Sequence, residues 1–558
     1  MDRFDITILG SGIASTLTLI DVLDQLLNKT PATRPVTIAV IEKNPEFFKG
    51  IPYGARSSVN ALTITCVHDF LHETERPFFY SWLSATKDTW TAYYRQEGGL
   101  TAARWLERNL PLMEREEWET VYIPRFLFGN YLHEKLGRLQ KAAGEKNLAE
   151  VRLIRGEAIE VKVAAAGGYE IIFEASGVVA SAVVASSVAS RKVVIATGSA
   201  PVRKMCDVPA GHALYINDMY EPSVAANIQA LQTALSAAAN AEDRNVLIIG
   251  SNASSIELLY LLEGMPAVRE QINKMVILSG SGLLPYHIST EALDSHPIPH
   301  LDKVKAGGGY TIGTLTDAAA LDIQLAVRDG ANMEYIATII GQTLQLMEVL
   351  GEEAKKAFYA IHAIRLRDMF RRSGPEYKNA AQLLLDLQQV TMLKGRFCGV
   401  REAGEGGPGA DGDPAKAGVL AAGGDSANAG VLANAGLLAA GGDPANAGVL
   451  FEYLDAATGQ QQTYPLSVKA VINCSGSDNL DQSSSRLLYN LVANNICQMN
   501  LSGKGFEVND KFEAAPNLYV MGPLLGGNMN KRIHFWQLEN ASRLTSLAPY
   551  LAAELLDI

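Results

Sequence analysis

Two six-residue stretches carry the residue types and spacing of a phosphate-cradling turn. The first is GSGIAS, residues 10–15, and the second is GSNASS, residues 250–255. In the first, Gly10 permits a tight turn, and Gly12 has no side chain, so a pyrophosphate can approach the backbone. Ile13 and Ala14 open a helix, and Ser15 takes the third, close-packing position where a small residue is sufficient. The start of such a helix offers unpaired N–H groups and a positive dipole end to phosphates. A second apolar run, VTIAVIEKN, ends in Glu42 and Lys43. An acid at that place can accept hydrogen bonds from ribose hydroxyls. The gap from the turn to Glu42 is longer than usual, and the polar loop NKTPATRP accounts for the excess.

These residues need a particular scaffold. FDITIL before Gly10 and NVLII before Gly250 are apolar enough to be buried strands of a parallel sheet, and apolar-periodic helices follow both. The expected fold class is therefore α/β, with two dinucleotide-binding (Rossmann-like) domains, the second inserted in the first, plus a helical cap. Two further runs support a flavin at the first turn. RKVVIATGSAP is a strand entering Ala196-Thr197-Gly198, and NLYVMGPLLGGNMN is a strand ending at Gly522 with more glycines behind it. Flavoproteins with two dinucleotide domains carry such segments in this order, which makes the second turn the nicotinamide side. There Gly250, Ser254 and Ser255 keep the pattern and Asn252 replaces the middle glycine. Asn tolerates left-handed backbone, so Asn252 is expected to hold the turn while its side chain crowds the pyrophosphate.

Composition narrows the function classes. A chain of 558 residues has room for two to four domains. A net charge of -12 disfavours nonspecific binding to nucleic acid or anionic membrane. The start, MDRFDITILG, enters a strand directly, without the basic and apolar regions of a signal peptide. No uncharged apolar run is long enough for a membrane span. A cytoplasmic protein with a small-molecule substrate is expected, with homo-oligomer formation left open. The 5 cysteines form no C-x-x-C pair, which argues against a redox dithiol or a zinc knuckle, and no metal site is expected.

The chain resembles the bacterial FAD/NAD(P)-binding proteins related to flavin-dependent amine N-hydroxylating monooxygenases. The resemblance rests on GSGIAS, GIPYGARSSVNALTI, YIPRFLFGNYL, VVIATGSAP, LIIGSNASSIEL, LSGSGLLPYHI, VINCSGS and NLYVMGPLLGG. It implies FAD as cofactor and NADH or NADPH as reductant, the latter bound weakly. It places NALTITCVHDFLHE at the flavin ring, with Asn60, His68 and Asp69 as its polar members. Arg125, beside Pro124, becomes a partner for flavin phosphate or a substrate carboxylate. Two departures from the family pattern matter. One is Asn252, and the other is Gly280-Ser281 in place of Ser-Arg, which removes a 2′-phosphate partner and leaves Lys274 or Arg244 to take that part. The implied function is a flavin-dependent oxidoreductase, an NAD(P)H-dependent monooxygenase of a small nitrogen-bearing substrate. Two alternatives stay open: a flavin dehydrogenase or oxidase that needs no nicotinamide, and a flavin-binding protein without turnover.

The expected division is a flavin domain of residues 1–205 and 390–558, an NAD(P)-binding-like domain of 206–284, and a helical cap of 285–389. The cap's basic end, Arg365, Arg367, Arg371 and Arg372, reads as a solvated face. Residues 401–448 repeat a short Gly-Asp-Pro/Ser-Ala unit without aromatics and cannot build a core, so they read as a mobile hairpin extension. ASGVVASAVVASSVAS reads as a smaller insertion of the same kind.

Overall fold

The computed structural model describes all residues except 29–33, 166, 176–184, 210, 239, 288–296, 330, 332, 364, 367–371, 403–447, 536–540 and 558. Apolar strands build two sheets of one plan. In the first, β1 (Asp2–Leu9) is flanked by β2 (Val36–Glu42) and β5 (Ala185–Ile195), all parallel. β3 (Ala149–Val163) pairs with β2, and β14 (Leu518–Val520) pairs with β5. β3 and β5 are long because their outer halves also pair antiparallel with β4 (Tyr169–Ala175). The short β13 (Glu513–Ala515) closes the edge.

The second sheet repeats this layout. β7 (Asn245–Ile249) lies between β8 (Lys274–Ser279) and β12 (Ala470–Asn473), again parallel. β9 (Val390–Glu402) joins β8, and β6 (Leu214–Ile216) joins β12. The outer half of β9 pairs antiparallel with β10 (Val449–Asp455), which pairs with β11 (Gln461–Thr463). β1, β7 and β12 are buried on both faces, which is why they read as continuous apolar runs rather than alternating ones.

The strand pairing corrects the expected return to the first domain at residue 390. β9 to β12 belong to the second sheet, and the first regains strands only at β13 and β14. The helical region from residue 285 also divides. Pro299–Gly307, Ile312–Arg328 and Met333–Met347 enclose a core of their own, including Leu315, Ile323, Ile336 and Phe358. Met529, from the glycine-rich run after Gly522, packs on it. The helix Pro375–Asp386 does not join that cap. Tyr377, Ala380 and Leu384 lie in the main core, and the Tyr377 ring meets Tyr260 edge-on at 4.9 Å.

Of the cap's basic end, Arg365 pairs with Asp317 at 2.5 Å on the surface, while Arg367 and Arg371 lie outside the described residues. The repeat 403–447 is outside them too. Its flanks do pair as a hairpin, Glu402 opposite Val449. Ala185–Ser190, expected in an insertion, is strand instead and pairs with both β1 and β4. Among the described residues no helix is long and apolar enough to cross a membrane.

Candidate functional site

The turn after β1 is held by backbone geometry that only glycine satisfies. Gly10 has φ +89, and a Cβ there would lie 2.7 Å from the Ala196 carbonyl oxygen and 2.8 Å from Thr197 Cα. Its N–H donates to the Ile41 carbonyl at 2.8 Å, and the Ala196 N–H donates to the Leu9 carbonyl at 2.9 Å. These bonds lock the turn between the ends of β2 and β5. Gly12 differs, because a Cβ there would meet only Gly50 Cα, at an ordinary 3.8 Å. Helix α1 (Ile13–Asn28) follows, with Ile13, Ala14 and Ser15 buried. Ser15 does more than fit: its hydroxyl donates to the Gly10 carbonyl at 2.6 Å.

Other glycines converge on the same point. Gly198 has φ +84 with nothing within 4 Å of a Cβ, and Gly522 has φ +98 with its Cβ position 3.1 Å from Ala14. Glu42 is 9% exposed. Its Oε2 accepts from Ser11 N–H at 2.8 Å and Ser11 Oγ at 3.1 Å. Its Oε1 accepts from Asn44 N–H at 2.8 Å and Asn44 Nδ2 at 2.9 Å. Those four bonds use about all the lone-pair sites of a carboxylate. A ribose hydroxyl therefore has to take the place of a side-chain donor. Lys43, next along, is exposed.

The second turn reproduces the first, bond for bond. The Gly250 N–H donates to Leu278 O at 2.8 Å, and the Cys474 N–H donates to Ile249 O at 2.7 Å. Ser255 Oγ donates to Gly250 O at 2.6 Å. A Cβ on Gly250, φ +98, would lie 2.5 Å from Cys474 O. Cys474-Ser475-Gly476, with Gly476 at φ +101, thus stands where Ala196-Thr197-Gly198 stands in the first sheet. The equivalence was hidden in the sequence because Cys474 and Ser475 mask the small-residue pattern.

Asn252 does not adopt left-handed backbone. Gly250 already supplies the positive φ, and Asn252 sits at φ -82, ψ -174, just ahead of α2 (Ala253–Glu263). Its Nδ2 donates to Cys474 O at 3.3 Å, so the amide leans across the turn toward the 474–476 segment. Ser254 is half-buried at the helix start.

Ser279 occupies the place of Glu42, since Leu278 and Ile41 accept the equivalent turn bonds. Its hydroxyl accepts from Gly282 N–H at 3.0 Å. Lys274 and Arg244 are at the wrong edge to read a phosphate here. Lys274 pairs with Asn245 at the start of β7, the end opposite Gly250. A basic residue that does reach this edge, beside Ser279, is Lys394. It is exposed, lies opposite Ser279, and crowds Gly282 closely enough that a Cβ there would meet Lys394 Cβ at 2.8 Å. No local pattern could have found it, because it arrives on β9.

Arg125 is engaged within the protein. Its Nη2 donates to Glu257 Oε2 at 2.5 Å and to Ser57 Oγ at 3.1 Å, and Tyr220 OH donates to Glu257 Oε1 at 2.9 Å. Burial is the largest single influence and opposes the charge on Arg125, but Glu257 together with Tyr377, Tyr220 and Tyr53 overcomes it, and the guanidinium pKa is raised. The pair ties the first residue of the helix Arg125–Glu145 to α2. Glu257 was missed, although it is the only carboxylate within the apolar stretch Ile256–Leu262. Asn60 is buried with its Nδ2 on Gly98 O at 3.0 Å, which makes it a packing residue against a helix kink. Its Oδ1 has no hydrogen-bond partner. His68 and Asp69 form an exposed pair at 3.2 Å, with side chains 54% and 49% exposed.

Two sheets whose parallel cores share one strand order, each with a glycine turn at the carboxyl end of its central strand, define a protein with paired dinucleotide folds. Residues 7–200 match the FAD-NAD(P)-binding family model. Uncharacterized proteins of Mycobacterium tuberculosis and Mycobacterium bovis are 33% identical over 99% of this chain and 95% of their own length. The chain belongs to this FAD-NAD(P)-binding family. Among solved structures, it is similar in fold to the ornithine N-hydroxylase of Kutzneria sp. 744, with a TM-score of 0.51 and 13% identity over 99% of each chain. It is also similar to the cadaverine monooxygenase of desferrioxamine biosynthesis from Erwinia amylovora, solved with FAD. That match has a TM-score of 0.53 and 12% identity over 100% of this chain and 95% of the other.

Proposed function

We propose that the protein is an NAD(P)H-dependent flavin monooxygenase of a small nitrogen-bearing substrate, with FAD at the first turn and the nicotinamide dinucleotide at the second. The observation that carries this reading is the bond-for-bond duplication of the turn, at Gly10 with Ala196 and at Gly250 with Cys474. The cradle fits the group, because Gly12 leaves its Cβ position in only ordinary contact with Gly50. FAD, when bound, supplies the hydride and oxygen chemistry, and the chain supplies binding, orientation and a dry surrounding.

In this reading the backbone N–H groups at the start of α1 hold the pyrophosphate, with Gly12 allowing close approach and Gly10, Ser15 and Gly522 fixing the turn. Glu42 orients the ribose. At the second turn Gly250, Ser254 and Ser255 do the corresponding work, and the Asn252 amide makes the fit poorer. The solved relatives in fold that act on ornithine and cadaverine favour an amine substrate.

Anaerobic mixing with NADPH or NADH, followed by flavin absorbance, tests the reading. Bleaching by either reductant, followed by oxygen uptake coupled to its oxidation, supports it. Bleaching by an organic substrate with no nicotinamide present indicates a dehydrogenase. No bleaching under either condition indicates a flavin-binding protein without turnover.

A further inference from the structure

Each glycine turn continues into a helix, α1 from the first and α2 from the second. The helix Arg125–Glu145 packs along α1, and its first residue reaches across to α2. Arg125 Nη2 donates to Glu257 Oε2 at 2.5 Å, with the two side chains 15% and 6% exposed. Glu257 stands two residues after Ser255, whose hydroxyl closes the second turn. Its Cα is therefore only roughly 3 Å further along the helix axis. Tyr220 OH donates to the other oxygen, Glu257 Oε1, at 2.9 Å. The hollow lined by Tyr220, Ser254 and Glu257 is about 10 Å³, the lower limit for a single water. The pair is thus nearly dry and stands at the root of the second turn.

Other bonds cross the same seam. Tyr377 OH accepts from Leu62 N–H at 2.8 Å, and Val224 N–H donates to Arg56 O at 2.9 Å. These join the second unit to the segment 56–62 of the first. Ser57 Oγ, in that segment, also accepts from Arg125, at 3.1 Å. The charged pair differs in kind, because it joins helix to helix.

A buried ion pair is a weak source of stability. Taking both charges out of water costs about what their attraction returns, and apolar residues of the same volume do as well or better. What the pair supplies is a defined distance and direction. Sliding α2 past Arg125 by one residue would leave a buried charge stranded on each side.

We propose that Arg125 and Glu257 are positioning residues, which fix the spacing of the two glycine turns so that a nicotinamide dinucleotide at the second is aligned with the flavin at the first. This role rests on the assignment of FAD and NAD(P)H to those turns. The transfer that the alignment serves moves one hydride from NAD(P)H to FAD, leaving NAD(P)+ and reduced flavin. Both residues act through the helices they join.

The test compares the flavin-loaded full chain with two variants. Glu257→Gln keeps the shape and drops the charge. Arg125→Met combined with Glu257→Leu removes both charges and strands neither, so it stays folded where the single variant does not. In anaerobic stopped flow, the limiting rate of flavin reduction by NADPH should fall about 10-fold or more in both, as for reactants slightly misplaced. The NADPH dissociation constant and reduction by dithionite should be unchanged. Hydrogen exchange supplies a readout without turnover. The amides of Leu62 and Val224, which bond across the seam, should exchange about 10-fold faster in the double variant. Those of Ile8 and Ile248, inside the two sheets, should keep their rates. Full-rate reduction by the double variant, a loss confined to the dissociation constant, or unchanged exchange at Leu62 and Val224 would overturn the proposal. Failure of NADPH and NADH to reduce even the unaltered chain would instead overturn the assignment of the second turn. Faster exchange at Leu62 and Val224 would then still support the pair as the spacer of the two turns, and unchanged exchange would overturn that as well.

Discussion

Gly10 and Gly12 are two residues apart, yet they should fail in opposite ways when replaced by alanine. At Gly10 a Cβ would sit 2.7 Å from the Ala196 carbonyl oxygen, on a residue with φ +89. The left-handed backbone costs an L-residue roughly 1–2 kcal/mol, and forcing a methyl against fixed backbone adds about 1–3 kcal/mol. Gly10→Ala should therefore lose roughly 2–5 kcal/mol of stability, which is severe for a protein of ordinary stability. At Gly12 the added methyl meets only Gly50 Cα at 3.8 Å, so the apoprotein should lose no more than about 1 kcal/mol, the cost of an ordinary glycine change. Its burden falls on the ligand. A methyl where the pyrophosphate approaches costs about 1–3 kcal/mol of binding, or roughly 5- to 150-fold in affinity.

Because bound FAD itself raises the melting point, the melts must be compared after flavin has been stripped from all samples. FAD affinity is then measured on the refilled protein. The reasoning fails if Gly12→Ala binds FAD as tightly as the unaltered chain. It fails equally if stripped Gly12→Ala melts as low as stripped Gly10→Ala.

At the second turn, Asn252→Gly should tighten NADPH binding about 5- to 10-fold, since it clears the approach at the cost of one weak hydrogen bond of ~1 kcal/mol; stopped-flow flavin reduction against NADPH concentration reads the change, and an unaltered dissociation constant refutes it. Lys394→Met should weaken NADPH several-fold and leave NADH unchanged, because only NADPH carries a ribose 2′-phosphate for that ammonium group; equal losses for both count against the assignment. Replacing 403–447 with a short Gly-Asn turn should leave flavin content and melting temperature unchanged by calorimetry, and a large drop would mean that the segment is packed. Burial raises the Asp21 pKa to about 7, opposed by Lys135 and aided by Asp24 and Glu75. An acid with a raised folded pKa favours the fold while protonated and withdraws that support as pH rises from 3.8 to 7. Asp21→Asn should therefore stabilise the chain at pH 8, by at most about 4 kcal/mol, and have little effect near pH 4; equal melting shifts at both pH values would refute this.

The legible parts of this chain were those whose cause is local. A buried parallel strand announces itself as an apolar run, and a turn pinned by neighbouring backbone demands glycine, so Gly10, Gly198, Gly250 and Gly522 could all be read in advance. The partners could not. β9 reads equally well as a strand of either sheet, because register between distant segments leaves no mark in either one, and so the domain boundary at residue 390 was misplaced. Arg125 was recognised as a charged residue at a helix start, but its partner Glu257 lies on a helix of the other unit. Asn252 was judged by its tolerance of a conformation that Gly250 had already supplied. Lys394 illustrates the same limit, since its neighbourhood is created entirely by strand pairing.

The hairpin of β9 and β10 opens at an informative place. Val449 exchanges hydrogen bonds with Val468, and the Lys469 N–H bonds to Asn245, the first residue of β7. The chain therefore departs toward residue 403 from the amino edge of the second sheet. The glycine turn sits at the carboxyl edge, five residues of strand away, which is roughly 17 Å. Sequence can be added at Glu402 and Val449 without shifting any residue that shapes Gly250. This opening is a suitable place to graft a reporter or an affinity handle onto this protein.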